Sequence, residues 1–175
     1  MKRTILLFCL FAAVCFGEEK RPIHRPLRVY ADIVGDLFHA GHVEFFKRAK
    51  AFGPVLVIGI LADDTVESYK RVPILTLEER TAVIGACRYV DEVIVAPPLR
   101  LTEEWIQEHE IDLVVHGDDF NAETLMDQYG AAIRLGIFRT VPYTKGISTT
   151  DIIQRVVDRQ AEFIRPVAFQ AGQEN

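Results

Sequence analysis

From Arg28 onward the chain alternates between short runs rich in Val and Ile and longer stretches in which apolar and charged residues are interleaved. The short runs, at 28–31, 55–61, 92–95, 112–115 and 138–141, read as strands with the branched-apolar content of strands buried on both faces. The longer stretches, at 42–52, 76–86, 102–109, 122–135 and 148–159, read as helices. Thr76 with Glu79 three residues later forms a capping box, in which each side chain satisfies an amide left over at the helix end. Strands alternating with helices predict a parallel sheet with crossover helices, an α/β fold. A length of 175 residues suits one such domain with a buried core and is short for two.

The first residues break this pattern. Lys2 and Arg3 precede an unbroken apolar run from Ile5 to Phe16, and Gly17, Glu18 and Glu19 follow. A basic front, a short apolar centre and a small residue before polar ones predict a secretory signal peptide over residues 1–17, cleaved after Gly17. The run falls short of the ~20 residues a spanning helix needs, so a transmembrane anchor is the weaker reading and no stable membrane span is expected in the mature chain. An exported or lumenal location follows, with a cytoplasmic one if the leader stays uncleaved. Residues 18–27 are expected to be a linker, 28–160 the domain and 161–175 a C-terminal tail. Loss of Lys2 and Arg3 with the leader takes the net charge from −5 to −7, the wrong sign for a nucleic-acid footprint. Cys9 and Cys15 leave as well, so Cys87 has no intrachain disulfide partner and reads as a small buried apolar residue. Trp105 reads as core packing.

The strongest chemical signal follows the first strand: Asp36, Leu37, Phe38, His39, Ala40, Gly41, His42. A loop there lies at the carboxyl end of a parallel strand, and the next helix turns its free amides and positive dipole end towards a bound phosphate. Two histidines three apart can face one pocket, while Gly41 would let the backbone approach a phosphate closely. Phosphoryl transfer asks for little beyond positioning and charge-stabilising donors, which imidazoles supply near neutral pH. Read in isolation, the same residues are a helix cap and a loop histidine. Lys50, two turns into the helix, is expected on the side of His42, reaching back towards the phosphates. Lys70 and Arg71 lie on a loop after the second strand, either over a triphosphate or as plain surface charges. Directly after the fourth strand come His116, Gly117, Asp118 and Asp119, which are site residues or turn formers. Gly146, Ile147, Ser148, Thr149 and Thr150 open the last helix, where hydroxyls and amides form a second phosphate cradle.

In this order the motifs resemble the HxGH nucleotidyltransferases of the cytidylyltransferase family, which act on phosphocholine, phosphoethanolamine and glycerol 3-phosphate. The likeness is carried by RVYADIVGDLFHAGH at 28–42, Lys50, the stretch from Cys87 to Val93, and GISTT at 146–150, and runs from about Arg28 to Val157. It implies a Rossmann-like three-layer αβα sandwich with a parallel sheet of about five strands. It also implies transfer of CMP from CTP to a phosphorylated small alcohol, giving a CDP-alcohol and pyrophosphate, with Mg²⁺ bridging phosphates rather than held in a protein cage. His39, His42 and Lys50 are the catalytic residues so implied. Asp36, Gly41, Lys70, Arg80, Asp118, Asp119, Gly146, Ile147, Ser148, Thr149 and Thr150 are the nucleotide-binding ones, with no metal ligands among the side chains. Without the resemblance Arg80 is a helix-surface ion pair of little energetic weight. The partners implied are CTP and the phosphoalcohol, not nucleic acid; a homodimer is compatible with the sequence.

The chain departs from the family at three places. Gly35 stands where relatives have Phe, with Ile33 where a glycine is common, so a shifted loop is expected there. Tyr143 and Thr144 precede the GISTT stretch where the family has Arg and Thr, so a bidentate phosphate grip is lost unless Arg139 or Lys145 restores it. Ala96, Pro97, Pro98 and Leu99 replace a segment in which choline enzymes carry a tryptophan, which favours phosphoethanolamine or glycerol 3-phosphate over phosphocholine as acceptor. Adenylyl transfer from ATP is the alternative reaction, and an exported, non-catalytic binding module the alternative of a different class.

Overall fold

The computed structural model describes residues 25–164. The expected leader at 1–17, most of the linker and residues 165–175 of the tail lie outside the described residues. Five strands and seven helices follow in the order β1 (Arg28–Ile33), α1 (Ala40–Lys50), β2 (Val55–Ile60), α2 (Asp63–Glu67), α3 (Leu77–Gly85), β3 (Glu92–Val95), α4 (Glu103–Glu108), β4 (Leu113–Gly117), α5 (Ala122–Arg134), β5 (Phe138–Val141), α6 (Thr149–Asp158) and α7 (Gln160–Phe163). Every expected strand and helix is present within a few residues. The additions, α2 and α7, have five and four residues and no side-chain cap, too short to leave a periodic pattern in sequence.

All strand pairs are parallel, in the order β3-β2-β1-β4-β5. Successive β1 residues explain the layers, because their side chains alternate across the sheet. Val29 and Ala31 join Phe46 and Ala49 of α1 and Ile84 of α3 on one face. Tyr30 joins Ile106 of α4 and Tyr129, Ala131 and Ala132 of α5 on the other. The result is a three-layer αβα sandwich of Rossmann type. Cys87 packs against the first cluster and Trp105 against the second, its ring edge-on to Tyr30 at 5.0 Å. Helices α1, α3, α4 and α5 begin with a capping side chain from His39, Thr76, Thr102 and Asn121, and Thr76 with Glu79 forms the expected capping box. No helix among the described residues is long and apolar enough to cross a membrane.

The sheet has two unlike ends. At the amino ends of the strands, Arg28 grips Glu92 through two bonds of 2.5 and 2.8 Å, and Arg25 grips Asp112 through two of 2.7 and 3.1 Å. At the carboxyl ends, the chain leaves β1 for β2 on one side while β4 continues the sheet on the other, which opens a crevice above the central strands.

Candidate active site

That crevice is a cleft of about 250 Å³ lined by residues following β1, β4 and β5 and by the loop after α2. His39 and His42 stand at its wall in a geometry the local sequence enforces. His39 is the N-cap of α1 and its Nδ1 accepts from the Gly41 amide at 3.1 Å, while His42 Nδ1 accepts from the His39 amide at 3.2 Å. Each ring therefore carries its proton on Nε2, so each has one N–H donor to offer the cleft. The rings stack at 3.9 Å, with Phe38 stacked on the far side of His42 at 5.5 Å. Burial holds His39 below the ordinary imidazole range, against a pull from Asp151. Burial, then the neighbouring His39 and Lys70, push His42 down to about 3 despite Asp36. Both rings are neutral at neutral pH in the free protein.

Gly41 lines the cleft and makes room for this pair. A Cβ there would lie 2.9 Å from the His39 ring and 3.4 Å from Ile147, so any side chain would displace the imidazole. Gly35 is required as well: its φ is +72°, and a Cβ would meet Ile84 at 2.4 Å. The loop is built on that glycine.

Several expected site residues turn out to hold the cleft's walls. Asp36 lines it, but its two carboxylate oxygens accept from the amides of Ile74 and Leu75 at 3.1 and 3.0 Å, pinning the loop after α2 to the histidine loop. Asp118 does not line the cleft; its carboxylate accepts from the Tyr143 amide at 2.8 Å and fixes the turn before α6. Gly146, with φ of +90°, shapes that turn without reaching the cleft. Ser148 caps α6 by accepting from the Asp151 amide, and Thr149 donates its hydroxyl to the Asp36 carbonyl at 2.8 Å. The cradle expected of three hydroxyls thus reduces to that of Thr150 and the first amides of α6, with Ile147 packed behind them against Gly41.

Two expected site residues lie outside the cleft lining. Arg80 is fully buried and faces away from the cleft, donating to the carbonyls of Val34, Leu61 and Leu75 and to the Asp63 carboxylate. It binds the ends of β1 and β2 together outside the cleft lining, and is no weak surface pair. Lys50 sits at the opposite end of the sheet, paired with Asp91 and the Pro54 carbonyl. Eight residues of helix carry it about 12 Å along the axis from His42, and it does not line the cleft.

Lys70, Arg71 and Asp119 do reach the cleft, and Tyr143 lies in its wall. Arg139 does not replace the missing arginine, because its guanidinium bends back to the carbonyls of Gly136 and Phe138; Lys145 does not line the cleft either. None of Ala96 to Leu99 lines it.

Sequence reasoning missed the floor. Asp32 is 4% exposed and accepts the Tyr129 hydroxyl at 2.6 Å. Burial raises its pKa, opposed by His116 and by the tyrosine hydroxyl. A second hollow beside the first is lined by Asp32, Tyr69, His116, Phe120 and Tyr129. The Tyr69 hydroxyl is pushed up to about 12, chiefly by burial and then by Asp32. A carboxylate inside a central apolar strand was the available signal, since a buried charge requires a partner.

The comparisons agree with this geometry. A family model described as cytidylyltransferase-like matches residues 36–155. The ethanolamine-phosphate cytidylyltransferase of Dictyostelium discoideum is 37% identical over 86% of this chain and 43% of its own length. The human choline-phosphate cytidylyltransferase A is 40% identical over 84% of this chain and 41% of its own. The chain thus spans about two fifths of the length of these two relatives. Among solved structures, a lipopolysaccharide core biosynthesis protein from Thermoplasma volcanium superposes with a TM-score of 0.56 at 26% identity, covering 70% of this chain and all of that one. A pantothenate synthetase from Thermus thermophilus, at 14% identity and a TM-score of 0.52 over 78% of this chain and 64% of its own, shares the fold.

Proposed function

The chain belongs to the cytidylyltransferase-like family, and on that premise we propose that it transfers CMP from CTP to a phosphorylated amino alcohol, with phosphoethanolamine as the acceptor. An oxygen of the acceptor phosphate attacks the α-phosphorus of CTP, the bond to the β-phosphate breaks, and a CDP-alcohol and pyrophosphate result. The observation that carries this reading is the stacked His39–His42 pair, with both Nδ1 atoms committed to backbone amides and both Nε2–H groups left to donate. Such preorganised donors stabilise charge as it develops on the α-phosphate oxygens and lose nothing to reorganisation at that moment. Lys70 offsets phosphate charge from the facing loop, and the Thr149 and Thr150 amides at the start of α6 offer a cradle for the outer phosphates.

Mg²⁺ fits only as an ion carried on the nucleotide, because no group of three or more metal-ligating side chains occurs among the described residues. Asp119 is the cleft carboxylate with no hydrogen-bond partner among them and so the one to meet it. Bound there, the ion would neutralise charge on the leaving pyrophosphate.

For the acceptor, support comes from Asp32. A buried carboxylate that accepts from Tyr129, with the Tyr30 hydroxyl also beside it, can accept from a primary ammonium entering the hollow, and Tyr69 and Phe120 add aromatic faces there. Glycerol 3-phosphate brings no cation to this carboxylate, and a quaternary ammonium has no N–H to donate to it. The test is pyrophosphate release by the full chain with CTP, Mg²⁺ and each of the three phosphoalcohols. Turnover should be highest with phosphoethanolamine, and release with ATP but not CTP would overturn the cytidylyl reading. The leader motivates a companion proposal, that the protein is exported or lumenal; its native N-terminus should then begin near Glu18.

A further inference from the structure

Charge in the cleft is unevenly supplied. Asp32, Asp36 and Asp119 line it, and against these three carboxylates stand two cations, Lys70 and Arg71. His39 and His42 add no positive charge at neutral pH, since burial keeps both rings unprotonated. The turn before α6 contributes Tyr143, a neutral phenol, to the opposite wall. Apart from the imidazole of His116 beside Asp32, the positive side chains lining the cleft are therefore two consecutive residues of one loop.

That loop is tethered at both ends. The Lys70 amide closes the end of α2 on the Val66 carbonyl at 2.9 Å, and the Ile74 amide is held by Asp36 at 3.1 Å. Arg71 lies in the three-residue span between these anchors and is exposed, and it pairs with no carboxylate among the described residues. Several other arginines pair with carboxylates, Arg28 with Glu92, Arg48 with Glu44, Arg80 with Asp63 and Arg100 with Asp127, while Arg88, Arg139 and Arg155, which pair with no carboxylate among the described residues, lie outside the cleft. A guanidinium kept at the mouth of an anion-binding cleft without a partner suits a ligand that brings its own negative charge.

On the reading that this cleft takes a nucleoside triphosphate, we propose that Arg71 grips the β and γ phosphates, its planar fork spanning two phosphate oxygens from the loop opposite Tyr143. The turn before α6 then needs no arginine, since the grip comes from the other wall. Lysine would be a poor substitute at Arg71, because an ammonium is a point charge and cannot span two oxygens in one plane.

Calorimetric titration of the full chain with CTP and with CMP, both in Mg²⁺ buffer, tests this with Arg71→Gln and Arg71→Lys. The glutamine variant should bind CTP on the order of tenfold more weakly and CMP unchanged, because CMP lacks the phosphates concerned; the lysine variant should recover only part of the loss. Arg71 is exposed, so both variants should melt with the wild type, and a melting shift would show the guanidinium to be structural and overturn the proposal. Equal CTP binding by Arg71→Gln, an equal loss for CMP, or full recovery by Arg71→Lys would each overturn it while leaving the transfer reaction standing. Failure of the wild type to bind CTP at all would overturn the triphosphate reading and this inference with it.

Discussion

The two ends of the sheet use the same residue types to opposite effect. At the amino ends Arg28 faces Glu92, Arg25 faces Asp112 and Lys50 faces Asp91, so these three cations close on carboxylates. At the carboxyl ends several polar groups are satisfied on one side only. His39 and His42 each spend Nδ1 on the backbone and keep Nε2, Asp32 spends one oxygen on Tyr129, and Lys70 and Arg71 have no carboxylate partner among the described residues. A group satisfied on every side holds a fold together, whereas one satisfied on one side is held in place and still able to act. The topology decides which is which, because only at the carboxyl ends do strand order and helix amides open a crevice.

Arg80 offers the hardest test of this contrast, since it is a fully paired cation at the carboxyl end. Replacing it with Met should destabilise the protein by roughly 3–5 kcal/mol, because three carbonyls and the Asp63 carboxylate lose their donor in a buried place. Denaturant melts measure this directly. A loss below about 1 kcal/mol with a large rise in the KM for CTP would instead make Arg80 a ligand and erase the distinction between wall and site.

His39→Ala and His42→Ala should each lower kcat on the order of a hundredfold, the effect of removing one preorganised donor worth roughly 3 kcal/mol. CTP affinity measured by titration should change far less. A pH effect accompanies the second. His42 binds its proton at about 3 when folded and at 6.5 in its ordinary state, so the folded form carries fewer protons across that window. Its contribution is intact above 6.5 and turns increasingly destabilising as pH falls towards 3. His42→Gln, which cannot titrate, should flatten that acid limb in pH-dependent melts.

The fold was legible because each strand and long helix is locally consistent: Val and Ile where both faces are covered, caps where helices begin. The histidine loop was legible for the same reason, being local in sequence. Lys50 and Arg80 were not, because where a long side chain ends depends on what meets it. Asp91, forty-one residues from Lys50, draws that ammonium to the far end, and the carbonyls of Val34 and Leu61 draw the Arg80 guanidinium inward. The Asp32–Tyr129 pair joins residues 97 apart and has no local signature beyond a charge in a buried strand.

Asp32→Asn should raise the KM for phosphoethanolamine about tenfold or more, the weight of a hydrogen bond to a charged group, with the KM for CTP unchanged. Asparagine still accepts the Tyr129 hydroxyl, so the fold is preserved and only the charge is lost. In the wild type, burial lifts the Asp32 pKa above its usual 3.8, and an ammonium binds only the ionised form. Acceptor KM should therefore climb as pH falls through that raised value, and Asp32→Asn should abolish the climb. A profile with the same acid limb in both proteins would remove Asp32 from the acceptor site.

The smallest effect is expected where the sequence promised a large one. Lys50 pairs with Asp91 at the amino end of the sheet, with its side chain about a quarter exposed and that of Asp91 two fifths exposed, so water screens much of the attraction. Lys50→Ala should change stability by under about 1 kcal/mol, in line with other exposed pairs. Asp91 keeps the Leu56 amide as a donor at 2.6 Å, so loss of the lysine leaves no buried acceptor stranded. Neither kcat nor the KM for CTP should move by more than about twofold, because a charge paired with Asp91, some 12 Å of helix from His42 and outside the cleft, is largely screened at physiological salt. The same substitution at Lys70, which does line the cleft, should raise the KM for CTP severalfold. If Lys50→Ala matched or exceeded Lys70→Ala in that measurement, the lysine would have to leave Asp91 when nucleotide binds, and the division of the molecule into a closed end and a reactive one would fail at its plainest point.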